Sequence, residues 1–421
     1  MELLSLSSQQ FDLIVVGGGA AGFMAAITAA EQSNASVLLL EATRKPLDKV
    51  RISGGGRCNV THACWDPSEL ITKYPRGGIA LYSPFTRFAC GDSISWFAEH
   101  GVELVVEEDG RMFPKANTSL AIVNCLKKAA KKVGVKLLQE ALVSTIRTDL
   151  NDLFIVTLQD KSFAFAKKAL LATGGHPSGR KMAKALGHNI IKPIPSLFTF
   201  KLAEPRLNKC SGISLDSVKL NIRVGGECFE QLGRVLITHW GISGPAVLRL
   251  TAYAARALHK DKYKAKITIN WLGNLDRTYI QEFIRKFRHE NASKRIKTVK
   301  PFSTIPKRFW LLLLSLASID PDLRWADFSY KFEQSLIDCL INSQFRVEGR
   351  GPFGEEFVTA GGVELDEIDL STMESRICSG LYIAGELLDV DGITGGFNFQ
   401  HCWSSGWLAG KSIANAINKA Y

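Results

Sequence analysis

The sequence predicts an α/β fold: a Rossmann-like nucleotide-binding domain built from both chain ends, with an inserted β domain that carries a small helical subdomain. Three observations point there. Phe11–Glu41 reads as strand, glycine turn, helix, strand and terminal acid. A second strand, glycine, acid and helix arrangement occupies the last part of the chain, from Gly361 onward. Between them, from Lys192, Pro193, Pro195 and Pro205 break any helix and short strand-like runs follow.

Each part of the first stretch has a physical reason. Leu13–Val16 is an apolar run fit for a buried parallel strand. It enters Gly17-x-Gly19-x-x-Gly22, which opens a helix of small residues over Ala20–Ala30. Gly17 permits the tight turn, Gly19 lets backbone approach a pyrophosphate, and Gly22 lets the helix lie close on the sheet. The helix N-terminus offers free N–H groups and partial positive charge to phosphates. Val37–Leu40 is the second strand and ends on Glu41, 19 residues after Gly22, where a carboxylate can take ribose hydroxyls.

Next comes Lys49, then Ser53-Gly54-Gly55-Gly56-Arg57-Cys58-Asn59. Three glycines after a serine make a loop that something flat or anionic can approach closely, with Arg57 and Asn59 as directed donors beside it. Asp92 caps a short helix over Ser93–His100 that Gly101 stops. Val102–Phe113 reads as a hairpin, and Thr118 caps a helix running to Val133. Strands are expected at Val135–Leu138, Val143–Ile146, Phe154–Leu158 and Ala169–Ala172, the last ending in Thr173-Gly174-Gly175. Ser178 caps a helix that Gly187 ends.

In the central part, strands are expected at Leu197–Leu202, Val218–Val224, Val235–Thr238 and Ala265–Asn270, and Ser243-Gly244-Pro245 starts a helix. His239 lies just before it and reads as a structural loop residue more readily than a catalytic one. Asp276 caps an amphipathic helix with the apolar face Tyr279, Ile280, Phe283, Ile284 and Phe287. Further helices are expected near Lys307–Leu316 and Trp325–Ile341, then strands at Phe345–Val347 and Phe357–Ala360. In the last part, Leu381–Ala384 leads to Gly385-Glu386, followed by Asp389, Gly392, Gly395-Gly396, Asn398 and Gln400 and a helix over Trp403–Ile417.

Composition bounds the function. At 421 residues the chain holds two or three domains. No apolar run reaches 18 residues and no secretory signal is visible, so the cytoplasm is the expected location and no membrane span is expected. The nine cysteines are scattered without a CxxC, which argues against a zinc site or a thioredoxin-like pair. The net charge is +11, and residues 281–308 carry nine basic side chains against two acids. That segment could face RNA or a membrane surface, but a solvated helical face is preferred because no RNA-binding signature accompanies it.

Several motifs occur together and in order: Gly17–Gly22 with Glu41, SGGGRCN at Ser53–Asn59, RMFP at Arg111–Pro114, ATGG at Ala172–Gly175, THWGISGPA at Thr238–Ala246, TAGGV at Thr359–Val363 and GELLDVDGITGGFNFQ at Gly385–Gln400. This set resembles the NAD(P)/FAD-dependent oxidoreductase family that includes bacterial 3-dehydro-bile-acid reductases and aminoacetone oxidase. The resemblance implies noncovalent FAD, with NAD(P)H as a transient electron donor and a small organic substrate. It implies an FAD-binding domain over 1–191 and 358–421, an inserted β domain over 192–274 and 344–357 that covers the flavin, and a helical subdomain over 275–343. It places Gly17, Gly19, Ala20, Ala21 and Gly22 at the pyrophosphate, Glu41 at the adenosine ribose and Val143 beside the adenine. Lys49, the Ser53–Asn59 loop, Thr173, Gly174 and Gly175 lie along the flavin side. Gly385, Glu386 and Asp389 serve the ribityl and phosphate region, and Gly395, Gly396, Asn398 and Gln400 edge the isoalloxazine ring.

The sequence departs from its relatives at two places. His176-Pro177-Ser178-Gly179-Arg180 goes straight into a helix, and His401 and Cys402 follow the glutamine where an aromatic and a small residue are usual. Arg57 and His401 are the candidate catalytic residues, with His239 and Cys402 behind them. No second glycine fingerprint is present for a nicotinamide domain, and five residues separate Cys58 from Cys64, which argues against a redox disulfide. The alternatives are an oxidase using O₂, a flavin-dependent RNA-modifying or RNA-binding protein, and a flavin redox sensor.

Overall fold

The computed structural model describes residues 9–352 and 358–419, in two compact units, Met1–Pro193 with Val358–Tyr421 and Ile194–Phe357. Phe357, expected at the start of a strand, lies outside the described residues.

The first unit is built on a sheet whose parallel core runs Leu381–Ile383, Phe163–Leu171, Gln9–Val16, Val37–Leu40, Lys136–Leu138. Val15 pairs with Leu39 on one side and Leu170 on the other. Val37–Leu40 and Lys136–Leu138 lie to one side of Gln9–Val16, and Phe163–Leu171 with Leu381–Ile383 lies to the other. The strand order reverses at Gln9–Val16, and α/β sheets of this kind bind ligands beyond the carboxyl ends of the strands at such a point. An antiparallel hairpin, Val143–Thr148 with Phe154–Leu158, is attached to Phe163–Leu171.

The first helix, Ala20–Glu31, is buried over nearly its whole length because it is packed between the sheet and the last helix, Phe397–Asn418. Small residues allow the close crossing. A Cβ added at Gly406 would stand 2.5 Å from the Ala21 carbonyl oxygen, and one at Gly410 2.5 Å from that of Ala25. The two chain ends are thus joined through their backbones, with no room for a larger side chain at either glycine.

The second unit is a closed six-stranded barrel. Its strand order is Phe200–Leu202, Gly241–Ser243, Glu227–Ile237, Ser214–Val224, Ala265–Asn270, Ser343–Arg350. Closure removes the exposed sheet edges. The helices Arg277–Glu290, Lys307–Leu316 and Tyr330–Ile341 do not form a core of their own. They share one continuous apolar cluster with the barrel, in which the Trp271 and Phe309 rings lie 4.7 Å apart and Trp310 and Trp325 are fully buried.

Local expectations are corrected at several points. Asp92 is not the N-cap of its helix, which runs Cys90–Glu99; it lies in the first turn and accepts from the Ala89 N–H at 2.7 Å. His176, not Ser178, caps Pro177–Ala185, its Nδ1 accepting from the Ser178 N–H. Leu197 takes φ of +58°, so the expected strand Leu197–Leu202 is shortened to Phe200–Leu202, and a separate strand, Ile194–Ser196, precedes it. Trp325–Ile341 divides into a short turn, Trp325–Asp327, and a helix from Tyr330 capped by Ser329. Tyr279 is 51% exposed, so it stands at the rim of its helix's apolar face. The last helix begins at Phe397, six residues earlier than its apolar pattern suggests, because Gly396 is its N-cap.

Candidate cofactor-binding site

The glycine turn at Gly17–Gly22 is closed toward the protein and open away from it. A Cβ at Gly17, whose φ is +113°, would meet the Ala172 carbonyl oxygen at 2.4 Å; one at Gly22 would meet the Gly17 oxygen at 2.0 Å. A Cβ at Gly19 meets nothing within 4 Å. Gly19 is the helix N-cap and offers no side chain, so the N–H groups of Ala20, Ala21 and Gly22 point into this open space.

Glu41 stands at the end of its strand. Its Oε2 accepts from the Gly18 N–H at 2.9 Å, and its Oε1 from the N–H and hydroxyl of Thr43, both at 2.8 Å. These use three of the roughly four acceptor directions of a carboxylate and leave one on Oε2. The segment that carries Val143 runs alongside: the Glu41 N–H donates to Leu138 O at 2.9 Å, and the Ala141 N–H donates to Glu41 O at 2.9 Å. Val143 itself is buried at the start of the attached hairpin.

Residues far apart in sequence meet around Glu386. Its Oε2 pairs with Lys49 Nζ at 2.7 Å and its Oε1 accepts from the Thr359 N–H at 3.0 Å. Gly174 and Gly175 lie directly against it, since a Cβ on Gly175 would stand 3.1 Å from Oε1. A Cβ at Gly385 would stand 2.9 Å from that of Ala21, so the Gly385–Glu386 turn touches the start of the first helix. Gly385 is tied to the last helix by its N–H to the Ser405 hydroxyl at 3.0 Å and by its carbonyl to His401 Nε2 at 3.2 Å. Asp389 is half-buried just beyond, its N–H bonded to Val363 O. Thr173 turns its hydroxyl inward, against Gly179.

The Ser53–Asn59 segment is a left-handed turn rather than a free loop. A helical stretch from Asp48 ends at Ser53, and Gly54, Gly55 and Gly56 then take φ of +56°, +67° and +85°. Cβ atoms at Gly55 and Gly56 would meet nothing, so a face of bare backbone is exposed there. Arg57 pairs with Glu107 at 2.7 Å, reaches Asn117 at 3.3 Å and lies over the Phe113 ring at 3.9 Å.

The polar side chains of the GGFNFQ motif are used internally. Asn398 clamps Gly392, accepting from its N–H and donating to its carbonyl, both at 2.8 Å. With its side-chain amide turned so that both neighbours are satisfied, Asn59 donates to Thr61 O and accepts from the Gly396 N–H, each at 3.0 Å. Gln400, expected along the flavin edge, is fully buried: its Oε1 accepts from Thr61 at 2.6 Å and Ser93 at 3.0 Å, and its Nε2 donates to Ser404 at 3.0 Å. The open donors are therefore backbone N–H groups of the helix's first turn, at Phe397, Asn398 and Phe399, where no side chain caps the helix.

Of the acid–base candidates, His401 is shielded. His401 is 2% exposed, and burial pushes its imidazole down to about 4, so it is neutral near pH 7. Burial pushes the Cys402 thiol up to about 12, and those of Cys58 and Cys64 up to about 12 and about 11. All nine cysteines are free thiols. His239 is exposed at the bend between two barrel strands, in the second unit. Among the described residues no group of side chains is arranged to hold a metal ion, and no helix is long and apolar enough to cross a membrane.

These features suit FAD: an open glycine turn and uncapped helix for a pyrophosphate, a placed carboxylate for a ribose, and a second uncapped helix start beside exposed backbone. The family model described as the HI0933-like protein Rossmann domain matches residues 11–412. The chain belongs to the HI0933-like family. Family relatives include a 3-dehydro-bile acid delta(4,6)-reductase of Clostridium scindens, 28% identical over 95% of this chain and 98% of the relative. Ribosomal RNA dihydrouridine synthases of Escherichia coli and Haemophilus influenzae are 30% and 31% identical, each over 97% of this chain and 99% of the relative. Among solved structures, a 3-ketosteroid Δ4-(5α)-dehydrogenase of Rhodococcus jostii aligns with a TM-score of 0.51, at 17% identity over 98% of both chains. A 3-ketosteroid Δ1-dehydrogenase of Sterolibacterium denitrificans aligns at 0.54, with 12% identity over 97% of this chain and 100% of its own. The chain shares the Rossmann-domain family of these relatives and the fold of the two dehydrogenases.

Some contributors escaped the sequence reading. His62, Thr359 and Ser405 each bond to a glycine-rich segment, and Tyr74, Arg76 and Asp391 form a buried support beneath one. Arg76 and Asp391 are 315 residues apart, and nothing in local pattern links them.

Proposed function

We propose that this chain is an FAD-dependent, NAD(P)H-linked reductase that saturates a carbon–carbon double bond conjugated to a carbonyl group. The observation that carries the cofactor is the open space at Gly19, faced by uncapped N–H groups and enclosed on its protein side by backbone. In this reading Ala20, Ala21 and Gly22 hold the pyrophosphate, Glu41 a ribose hydroxyl, and Val143 the adenine side. Lys49, Glu386, Gly174, Gly175 and Asp389 line the path between. The backbone of Gly54–Gly56 and Gly395–Gly396 admits the ring, and the first turn of Phe397–Asn418 stabilises negative charge on it.

Bound FAD supplies the two-electron chemistry; the chain's own residues position it and tune its charge. The bond class rests on the relatives' names. One removes delta(4,6) unsaturation from a 3-dehydro bile acid and the others make dihydrouridine, and in each an activated double bond takes up two hydrogens. The nicotinamide donor binds transiently, since the sequence carries one glycine fingerprint only. Anaerobic stopped-flow with NADH and NADPH tests this. Bleaching by either, followed by recolouring with a conjugated enone or with uridine-containing RNA, is expected. Bleaching by neither overturns the NAD(P)H-linked reading, and recolouring by O₂ alone favours an oxidase.

The charge distribution favours RNA as the carrier of the substrate in a second reading. Residues 194–357 contain 26 Lys and Arg against 16 Asp and Glu, a net +10, while the rest of the chain nets +1. Much of the basic segment is used internally. Arg285 pairs with Glu333, Arg295 and Lys297 pair with Asp322, and Arg288, Lys300 and Arg308 donate to carbonyls. The surplus positive field of the unit remains and suits a polyanion. Filter retention of rRNA at 50 mM salt, lost by 200 mM, is the expected result; no retention at 50 mM removes this reading and leaves a small-molecule substrate.

A further inference from the structure

The turn Asp391–Phe397 is held from beneath by one short stretch, Asn59–Arg76. Arg76 and Asp391 form an ion pair whose side chains are 8% and 0% exposed. The Ile393 N–H donates to Lys73 O at 2.9 Å. His62 Nδ1 lies 3.0 Å from the Gly395 carbonyl oxygen, which can only accept, so Nδ1 carries the proton. The Tyr74 hydroxyl, fully buried, donates to the Phe397 carbonyl at 2.7 Å. The Phe397 ring packs against both, with its centroid 4.6 Å from that of His62 and 6.3 Å from that of Tyr74. The turn has no slack of its own: Gly395 and Gly396 take φ of +127° and +95°, and a Cβ at Gly396 would stand 2.5 Å from the Thr61 carbonyl oxygen.

We infer that His62 and Tyr74 are positioning residues that hold the Gly395–Phe397 turn so that the N–H groups of the last helix's first turn are fixed in place toward the cofactor. This rests on the FAD reading. A buried ion pair is a poor source of net stability, because desolvating two charges offsets their attraction. Its value here is geometric: with Arg76–Asp391 as anchor, the two hydrogen bonds leave the turn a single conformation. His62 is suited to the task because burial lowers its imidazole below the ordinary value, which favours the neutral ring and a donor without added charge beside the turn. Donors that need no reorganisation stabilise charge better than mobile ones. Loosening the turn therefore weakens binding of the reduced, more negative cofactor more than that of the oxidised one.

The test uses the full chain with H62F and Y74F, which keep the rings and delete the donors, and Y82F at an exposed tyrosine as control. FAD affinity is read by fluorescence titration, the midpoint potential by dye-coupled equilibration, and folding by circular dichroism and Tm. Each donor variant is expected to fold, to bind oxidised FAD several-fold more weakly and to bind the reduced form about tenfold more weakly again. That additional tenfold corresponds to a potential about 30 mV lower for a two-electron couple. H62Q, which restores an N–H donor without the ring, recovers part of the shift, and if H62F does not fold, Y74F carries the test. Unchanged affinity and potential in folded H62F and Y74F overturn the inference, as does a lower Tm with an unchanged potential. Wild-type protein that stays colourless with excess FAD overturns the cofactor reading itself, and this inference with it.

Discussion

Replacing Gly19 by alanine separates binding from folding. Gly19 has φ of −90° and ψ of −170°, extended backbone open to any residue, and an added Cβ meets no atom within 4 Å. Losing glycine's freedom in the unfolded chain stabilises by about 0.4–1 kcal/mol, and an alanine N-cap costs a similar amount. Stability should therefore stay within about 1 kcal/mol of wild type. The new methyl group stands where the pyrophosphate approaches the N–H groups of Ala20–Gly22. Charge-assisted hydrogen bonds are worth about 1.5–3 kcal/mol each. Losing one of them weakens FAD binding by at least about tenfold, and losing two by about 100-fold or more. Gly22→Ala behaves differently. Its Cβ would lie 2.0 Å from the Gly17 backbone oxygen, so the turn must open by more than about 1 Å, and both folding and binding suffer. The assay is FAD titration by fluorescence together with thermal melts with and without FAD. Gly19→Ala protein that is folded and binds FAD within threefold of wild type would refute the site.

Other expectations follow from the shielded groups. In the unfolded chain the His401 imidazole takes a proton near pH 6.5, but in the folded chain only near pH 4. Unfolding therefore binds a proton between these values, and stability falls as pH drops, by an amount on the order of 3 kcal/mol. His401→Gln, which cannot titrate, should lack this loss when urea unfolding is compared at pH 7 and pH 4.5; a parallel decline in both proteins would remove the assignment. Anaerobic reductive titration should take up two electrons per FAD, because the Cys58 and Cys64 thiols are free, buried and held protonated. Uptake of four would revive a redox disulfide. Bulky substitution at Gly55, where φ is +67° and no atom is nearby, should abolish FAD retention, and a variant with full FAD content would speak against the exposed-backbone face.

Periodicity and glycine spacing were enough to place the strand–turn–helix at Leu13–Gly22, the acid at Glu41 and most strands of the sheet, though Phe163–Leu171 was read only over its end and Ile368–Asp369 and Glu374–Ser375 were not read. These features follow from local rules, since an apolar run, a turn without side chains and a helix cap are each written in a few consecutive residues. Helix starts were read less well where the capping group was not a standard one. His176 capped a helix in place of Ser178, and Gly396 started the last helix earlier than its apolar pattern implied.

Tertiary structure decided which polar side chains face outward and which support. Asn59, Asn398 and Gln400 look alike in sequence, as donors beside glycines. Only packing shows that they hydrogen-bond inward, leaving backbone N–H groups as the open donors. The Lys49–Glu386 and Arg76–Asp391 pairs span more than 300 residues. Such partners are chosen by the approach of the two chain ends, which depends on Gly406 and Gly410 meeting Ala21 and Ala25 at backbone distance. Local sequence specifies the conformation a segment prefers; which distant segment it meets depends on shape complementarity summed over the whole core, and no short stretch encodes that.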